Sequence, residues 1–129
     1  MAGRHLLDTN IIIASFKNEQ TVLDQMATSE EIFIPAIVVG ELFYGAMHST
    51  NIEKHITQVR EFVKESSVLS CDEFTAEHYG QIKNELKKKG RPLPENDIWI
   101  AAIALQHNLT IATRDQHFKE IDGVAIEEW

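Results

Sequence analysis

The chain alternates short runs of apolar and β-branched residues with longer stretches of helical periodicity, and this alternation constrains the fold more than any other feature. The strand-like runs are predicted at residues 5–7, 32–35, 67–70, 109–113 and 124–126. Strands separated by helices need crossover connections, which make the strands parallel and cover both faces of the sheet. The sequence therefore predicts an α/β fold of three layers, with a central parallel sheet flanked by helices.

Apolar residues at helical spacing fill the intervals between these strands. Helices are predicted at residues 11–16, 21–27, 36–48, 50–64, 72–90 and 96–107. Thr50 and Glu53 have the spacing of a capping box at the start of the fourth helix. Asp72 can cap the fifth helix, and Gly90 can end it.

Length and hydropathy exclude several protein classes. A chain of 129 residues is typical of one domain, here predicted to span 1–129. The longest apolar runs, FIPAIVVG and IWIAAIAL, fall far short of the roughly 18–20 residues of a membrane span. The N-terminal residues lack the apolar core of a secretory signal, and Cys71 has no second cysteine to pair with. We therefore expect a cytoplasmic protein with no membrane partner.

Two acidic residues follow predicted strands. Asp8 comes directly after the first strand, and Asp115 follows the fourth. In open α/β sheets, ligands bind in the crevice beyond the carboxyl ends of the strands. Because aspartate is also a common turn residue, these two acids alone leave a structural role and a functional role open.

Glu41 lies on the apolar side of a predicted helix. At about 100° per residue, its neighbours on that side are Ile37, Val38, Tyr44 and Gly45. Gly40 and Gly45 flank it and would let this helix approach the sheet closely. The glutamate could extend to the helix edge, but no lysine or arginine occurs between positions 17 and 54 to pair with it locally. This favours a functional role.

Asp97 repeats the pattern in the segment PENDIWIAAIAL. Its neighbours along the helix face are Ile100, Ala101, Ala104 and Leu105. An acid at a helix start commonly satisfies free amide groups. Glu95 or Asn96 could do so here and leave Asp97 to face inward.

Asp8, Glu41, Asp97 and Asp115 would repel one another unless a cation neutralised them. Oxygen ligands alone favour a hard divalent ion, and Mg²⁺ suits such a site because it keeps waters and leaves positions for a phosphate. The sequence therefore predicts a metal site that leaves positions open for a substrate phosphate.

The four segments together resemble the signature segments of the PIN-domain ribonucleases, and most closely those of VapC-type toxins of bacterial toxin–antitoxin pairs. They are LLDTN, VVGELFYG, PENDIWIAAIA and TIATRDQHF, spread in order over residues 6–126. The resemblance implies a sheet of order 3-2-1-4-5, dependence on Mg²⁺ or Mn²⁺, and endonucleolytic cleavage of RNA. It also implies that Asp8 and Asp97 are the principal metal ligands, that Glu41 is the third acid, and that Asp115 is the most variable fourth. In metal-assisted phosphodiester hydrolysis, Glu41 or Asp115 could orient the attacking water.

The same resemblance implies two protein partners. Toxins of this kind form homodimers, and a cognate antitoxin holds them inactive. Its helical tail lies along the toxin and can send a basic residue toward the acids. Such a cation would substitute electrostatically for the metal.

Several further residues could support such a site. Asn10 and Thr113 could hydrogen-bond the ligating carboxylates, although both are also ordinary turn and strand-end residues. His117 could face the site but is more readily explained as a surface residue. The net charge of −8 argues against a sequence-independent nucleic-acid coat, which is normally basic. RNA contacts would therefore be local, and the candidates are Lys87, Lys88, Lys89, Arg91 and Arg114, of which the first four also suit a helix C-terminus.

Two other functions stay open on the sequence. A phosphatase of the haloacid-dehalogenase kind would use Asp8 as nucleophile, but it normally carries a second aspartate where this chain has Asn10. A non-catalytic PIN-like binding module would keep the fold without the chemistry. The presence of all four acids argues against that alternative.

Overall fold

The computed structural model describes residues 3–129 and contains every predicted strand and helix. The elements are β1 (Arg4–Leu7), α1 (Thr9–Phe16), α2 (Gln20–Thr28), β2 (Glu31–Pro35), α3 (Ala36–Met47), α4 (Ile52–Lys64), β3 (Ser67–Leu69), α5 (Glu73–Lys89), α6 (Glu95–His107), β4 (Thr110–Ala112) and β5 (Ile126–Glu127). The strands form one parallel sheet of order β3-β2-β1-β4-β5, which confirms the predicted fold class and the implied strand order.

Strand β1 is the central strand of the sheet, and its side chains after Arg4 are buried on both faces. Leu6 and Leu7 are fully buried, as expected for a strand covered by helices on each side. Leu6 lies beside Phe33 of β2 and Ile111 of β4. The amide of Asp8 donates to the carbonyl of Ala112 at 3.0 Å, so the ends of β1 and β4 lie side by side.

The helices pack in pairs around this sheet. Helix α5 packs against α6, and α3 packs against α4. Helix α6 has the largest set of buried residues among them, at Ile98, Ile100, Ala101, Ala102, Ile103 and Ala104. None of the helices within residues 3–129 combines the length and apolarity of a membrane-spanning segment.

Two predicted helix boundaries are confirmed and one is wrong. Asp72 caps α5 in a capping box with Thr75, and Gly90 ends that helix at φ +66°. Helix α4 is capped by Asn51, whose Oδ1 accepts from the amide of Lys54 at 3.3 Å, and not by Thr50. Asparagine is at least as good a cap as threonine.

The close approach expected at Gly40 and Gly45 is not present. A methyl group at either position would meet no atom within 4 Å. Helix α3 therefore does not need these glycines for its contact with the sheet, and the position of Glu41 has another cause.

Candidate metal centre

Asp8 is a buried carboxylate held in place by three hydrogen bonds. Its Oδ1 accepts from the amide of Thr9 at 2.8 Å and so caps α1. Its Oδ2 accepts from Thr113 Oγ1 at 2.7 Å and from Asn10 Nδ2 at 3.4 Å. Burial raises the pKa of Asp8; the bonds from Thr113 and Thr9 oppose the increase, and the charges of Glu41 and Asp115 add to it.

Thr113 and Asn10 connect the start of α1 to the segment after β4. Besides its bond to Asp8, Thr113 Oγ1 accepts from the amide of Asp115 at 2.9 Å. Asn10 Oδ1 accepts from the amide of Arg114 at 3.2 Å. Both side chains therefore hydrogen-bond Asp8, as expected from the sequence. That Asp8 binds a metal stays a prediction.

Asp97 lies in the first turn of α6 and is half-buried. The expectation that Glu95 or Asn96 would cap this helix is wrong, because α6 follows Pro94 without a side-chain cap. Glu95 instead binds Tyr79 and Lys83 of α5.

Burial, the largest cause, and the charges of Asp8, Asp115 and Glu41 together raise the pKa of Asp97 to about 6. His117 acts in the opposite direction on this pKa. Proton uptake near pH 6 is what burial and like charges together produce when no cation neutralises a carboxylate.

The closest group of candidate ligands consists of Asp97, Asp115 and His117. One ligand atom from each lies within 4.8 Å of the other two. Asp115 Oδ1 accepts from the amide of His117 at 2.9 Å and contacts its Nδ1 at 3.0 Å. Asp8 and Glu41 lie outside this closest group, although their charges affect the pKa of Asp97.

Glu41 is connected to the site by a hydrogen bond from Thr9 of α1. Its Oε1 accepts from Thr9 Oγ1 at 2.8 Å, so the glutamate is held beside the end of β1. Within residues 3–129, no lysine or arginine forms an ion pair with Asp8, Glu41, Asp97 or Asp115. The four acids therefore share a region without a fixed counter-charge.

This donor set fits a divalent cation. Oxygens about 2.0–2.6 Å from a common ion lie within about 5 Å of one another, which matches the spacing within the closest group. The raised pKa values of Asp8 and Asp97 show that the folded chain disfavours their charged forms, and a bound cation would reverse this.

Sequence reasoning did not assign His117 to the site, although a local signal was present. The histidine is two residues after Asp115, and an aspartate often bonds the amide two residues on in an Asx turn. That turn occurs here and brings the imidazole back to the carboxylate. The ring is 65% exposed, so the expected surface location also holds.

The basic residues divide into paired and unpaired groups. Lys89 binds Asp122, Arg91 lies 3.9 Å from Glu120, and Arg114 binds Glu19. Lys87 and Lys88 are exposed in the last turn of α5 and form no ion pair with any residue from 3 to 129. Lys89 and Arg91 thus have partners within the fold, which favours a structural role over an RNA contact for these two residues.

The raised pKa of Asp97 predicts how stability depends on pH. The folded protein binds its proton near pH 6, whereas an unfolded aspartate titrates near 3.8. Stability from this group is therefore complete below about pH 4 and is lost as pH increases through about 6. Added Mg²⁺ or Mn²⁺ should increase the melting temperature more at about pH 7.5 than at about pH 5, because protons compete for the same oxygens.

Thermal melts with and without metal at both pH values check this prediction. Asp97→Asn removes the titrating group and should flatten the pH dependence of the metal-free protein. A metal-induced shift that is equal at both pH values would contradict the assignment of Asp97.

Comparisons with known proteins identify the family to which the chain belongs. The family profile of the PIN domain matches residues 5–124. The chain is 34% identical to ribonuclease VapC1 of Haemophilus influenzae (strain R2866) over 97% of both chains, and 33% identical to the tRNA(fMet)-specific endonuclease VapC of Shigella flexneri over 98% of both. A crystal structure of DNA-bound VapBC from Salmonella typhimurium superposes with a TM-score of 0.89 at 34% identity, covering 100% of this chain and 99% of the other.

Proposed function

This chain belongs to the PIN domain family, and from that premise we propose that it is a VapC-type endoribonuclease, the toxin of a type II toxin–antitoxin pair. The observation that carries the proposal is the proximity of Asp97 and Asp115, whose ligand atoms lie within 4.8 Å of each other. Thr113 connects this pair to buried Asp8, because its hydroxyl bonds both Asp8 and the amide of Asp115. Carboxylates gathered in this way suit metal-assisted hydrolysis of RNA phosphodiester bonds.

The metal proposed for this site is Mg²⁺ or Mn²⁺, held by Asp8, Asp97 and Asp115. When bound, the ion would stabilise charge on the scissile phosphate and lower the pKa of the attacking water. The chain's own contribution is to keep Asp8 in one orientation. Thr113 and the amide of Thr9 fix its two oxygens, which leaves the further lone pairs of each oxygen for a ligand.

Glu41 is the residue that we assign to orienting the water. Its Oε1 accepts the hydroxyl proton of Thr9, so the remaining oxygen has a fixed direction and can accept a proton from water. Asp115 is the alternative candidate from the sequence. Its Oδ1 already accepts from the amide of His117 and belongs to the closest ligand group, which favours a metal-holding role.

RNA binding by a chain of net charge −8 requires local positive charge. Lys87 and Lys88 suit this role better than Lys89 or Arg91, because the latter two face Asp122 and Glu120. Arg114 is next to Asp115 and would contact phosphate after release from Glu19. A bound cation would also reverse the local potential at the acids.

The proposed partners are RNA, a cognate antitoxin and a second copy of the chain. A mostly apolar groove of about 320 Å³ between α1, α3 and α4 is lined by residues including Ile13, Leu42 and Val59, with Glu41 also on its wall. A helical tail in this groove would end near the acids. Exposed Tyr44 and Met47 on α3 offer apolar surface for association. The cytoplasmic location stays a prediction.

Incubation of purified protein with total RNA tests the function. We expect internal cleavage with Mg²⁺ or Mn²⁺ and none with EDTA, because four like charges need the cation before a phosphate can approach. Sequencing of the new RNA ends would identify the substrate. The product of a small reading frame directly upstream, if one is present, should suppress the cleavage on co-purification.

Other outcomes would favour the alternatives. Hydrolysis of a small phosphomonoester without RNA cleavage would indicate the phosphatase that uses Asp8 as nucleophile. Neither activity, together with no metal-dependent rise in melting temperature, would indicate a non-catalytic PIN-like module.

A further inference from the structure

The exposed imidazole of His117 lies beside Asp97 and Asp115, and the proposed mechanism gives it no role. An atom of His117, a carboxylate oxygen of Asp97 and one of Asp115 are mutually within 4.8 Å. The ring is 65% exposed, so it needs no hydrogen bond to offset burial. The turn that begins at Asp115 explains the contact of the ring with that residue, whereas Asp97 lies on α6 and is not part of the turn.

The orientation of this ring is fixed from two sides. Asp115 Oδ1 lies 3.0 Å from Nδ1 of His117 and accepts the backbone amide of the same residue at 2.9 Å. The next residue, Phe118, is fully buried and anchors the turn. The 3.0 Å separation between Asp115 Oδ1 and Nδ1 is also the spacing that adjacent ligand atoms have around one ion at about 2.1 Å.

The identity of the ligand atom affects which ions bind. Mg²⁺ prefers oxygen ligands, whereas imidazole suits later transition metals, whose affinity for nitrogen sites increases from Mn²⁺ to Co²⁺. A site of carboxylates alone would discriminate weakly between Mg²⁺ and Mn²⁺. One ring nitrogen would favour Mn²⁺ and still more Co²⁺.

We propose that His117 supplies a ring nitrogen to the metal centre beside Asp97 and Asp115 and thereby gives the site a preference for Mn²⁺ over Mg²⁺. The proposal rests on the proposed function, since it needs the acids to bind a cation.

Metal affinity of the His117→Gln variant tests the proposal without any measurement of activity. Calorimetric titration of the full chain with Mg²⁺, Mn²⁺ and Co²⁺ separately gives three dissociation constants for each protein. We expect about 10-fold weaker binding of Mn²⁺, a larger loss for Co²⁺, and less than about a twofold change for Mg²⁺. His48→Gln is the matched control, because His48 is also exposed but bonds the carbonyl of Tyr44 after the last turn of α3. It should leave all three constants unchanged.

The graded pattern across the three ions distinguishes a ligand from a positioning group. Equal weakening of all three would mean that His117 only orients Asp115, and it would overturn the proposal. Unchanged constants in His117→Gln would overturn it as well, while leaving the proposed function intact. A wild-type chain that binds none of these ions would overturn both.

Discussion

Replacing Asp97 by asparagine is expected to abolish RNA cleavage and to stabilise the metal-free protein. Loss of a direct ligand should reduce the rate by more than the roughly 10–100-fold typical of a group that only orients a ligand. The same change removes a carboxylate whose pKa is raised to about 6 by burial and by three neighbouring acids. The melting temperature near neutral pH should increase, by about 3 °C for each kcal/mol of repulsion relieved. Single-turnover cleavage assays and thermal melts in EDTA measure the two effects.

Glu95→Gln provides the matched control for this prediction. Glu95 is two residues earlier in the same helical turn, but its carboxylate binds Lys83 and Tyr79. Its replacement should cost little stability and leave cleavage within about threefold, because ion pairs between exposed side chains contribute little to stability. Destabilisation by Asp97→Asn, with equal loss of cleavage in both variants, would identify Asp97 as a structural residue.

Phe118→Ala is expected to be among the most destabilising substitutions in the chain. Phe118 is fully buried, and it directly follows His117 in the turn that begins at Asp115. Truncation of a buried phenylalanine costs about 3–5 kcal/mol, a large part of the roughly 5–15 kcal/mol of a typical domain. Because the ring anchors the turn that carries a predicted ligand, metal affinity should also fall. Urea unfolding and metal titration test both parts.

Two further substitutions separate packing from other effects. Phe118→Leu keeps most of the buried volume and should cost less than about 1.5 kcal/mol. Phe74→Ala makes the same truncation at a side chain that is 61% exposed, and should change stability by no more than about 0.5 kcal/mol. A cost below about 1.5 kcal/mol for Phe118→Ala would show that the turn is held by other contacts.

The fold could be predicted from the sequence because its strongest signals are local. Helices alternate with apolar strands, and Asp72 and Gly90 mark the ends of α5 with side-chain chemistry that acts within one turn. The strand order was implied by the resemblance to the PIN-domain ribonucleases, because apolar runs of similar length do not indicate which strands pair with each other. The wrong cap at Thr50 has a local cause, because Asn51 competes for the same role one residue later.

The details of the site depended on contacts that local reasoning does not reach. Glu95 satisfies Lys83 and Tyr79 on another helix, and Arg114 pairs with Glu19, which lies 95 residues earlier. The approach of His117 to Asp97 depends on how the segment after β4 folds back toward α6. Residue types and spacing identified the four acids, but the partners of each one required the tertiary structure.

The hydrogen bond between Thr113 and Asp8 joins residues that are 105 positions apart. Synthesis on the ribosome proceeds from the N-terminus, so Asp8, Glu41 and even Asp97 emerge before the strand that supplies Thr113 and the adjoining Asp115. Nascent chains that stop short of β4 would hold the first acids without the Thr113 hydroxyl that bonds Asp8 and without Asp115. The toxin activity proposed for this chain would thus be withheld from unfinished copies, which protects the translating cell from a half-made nuclease.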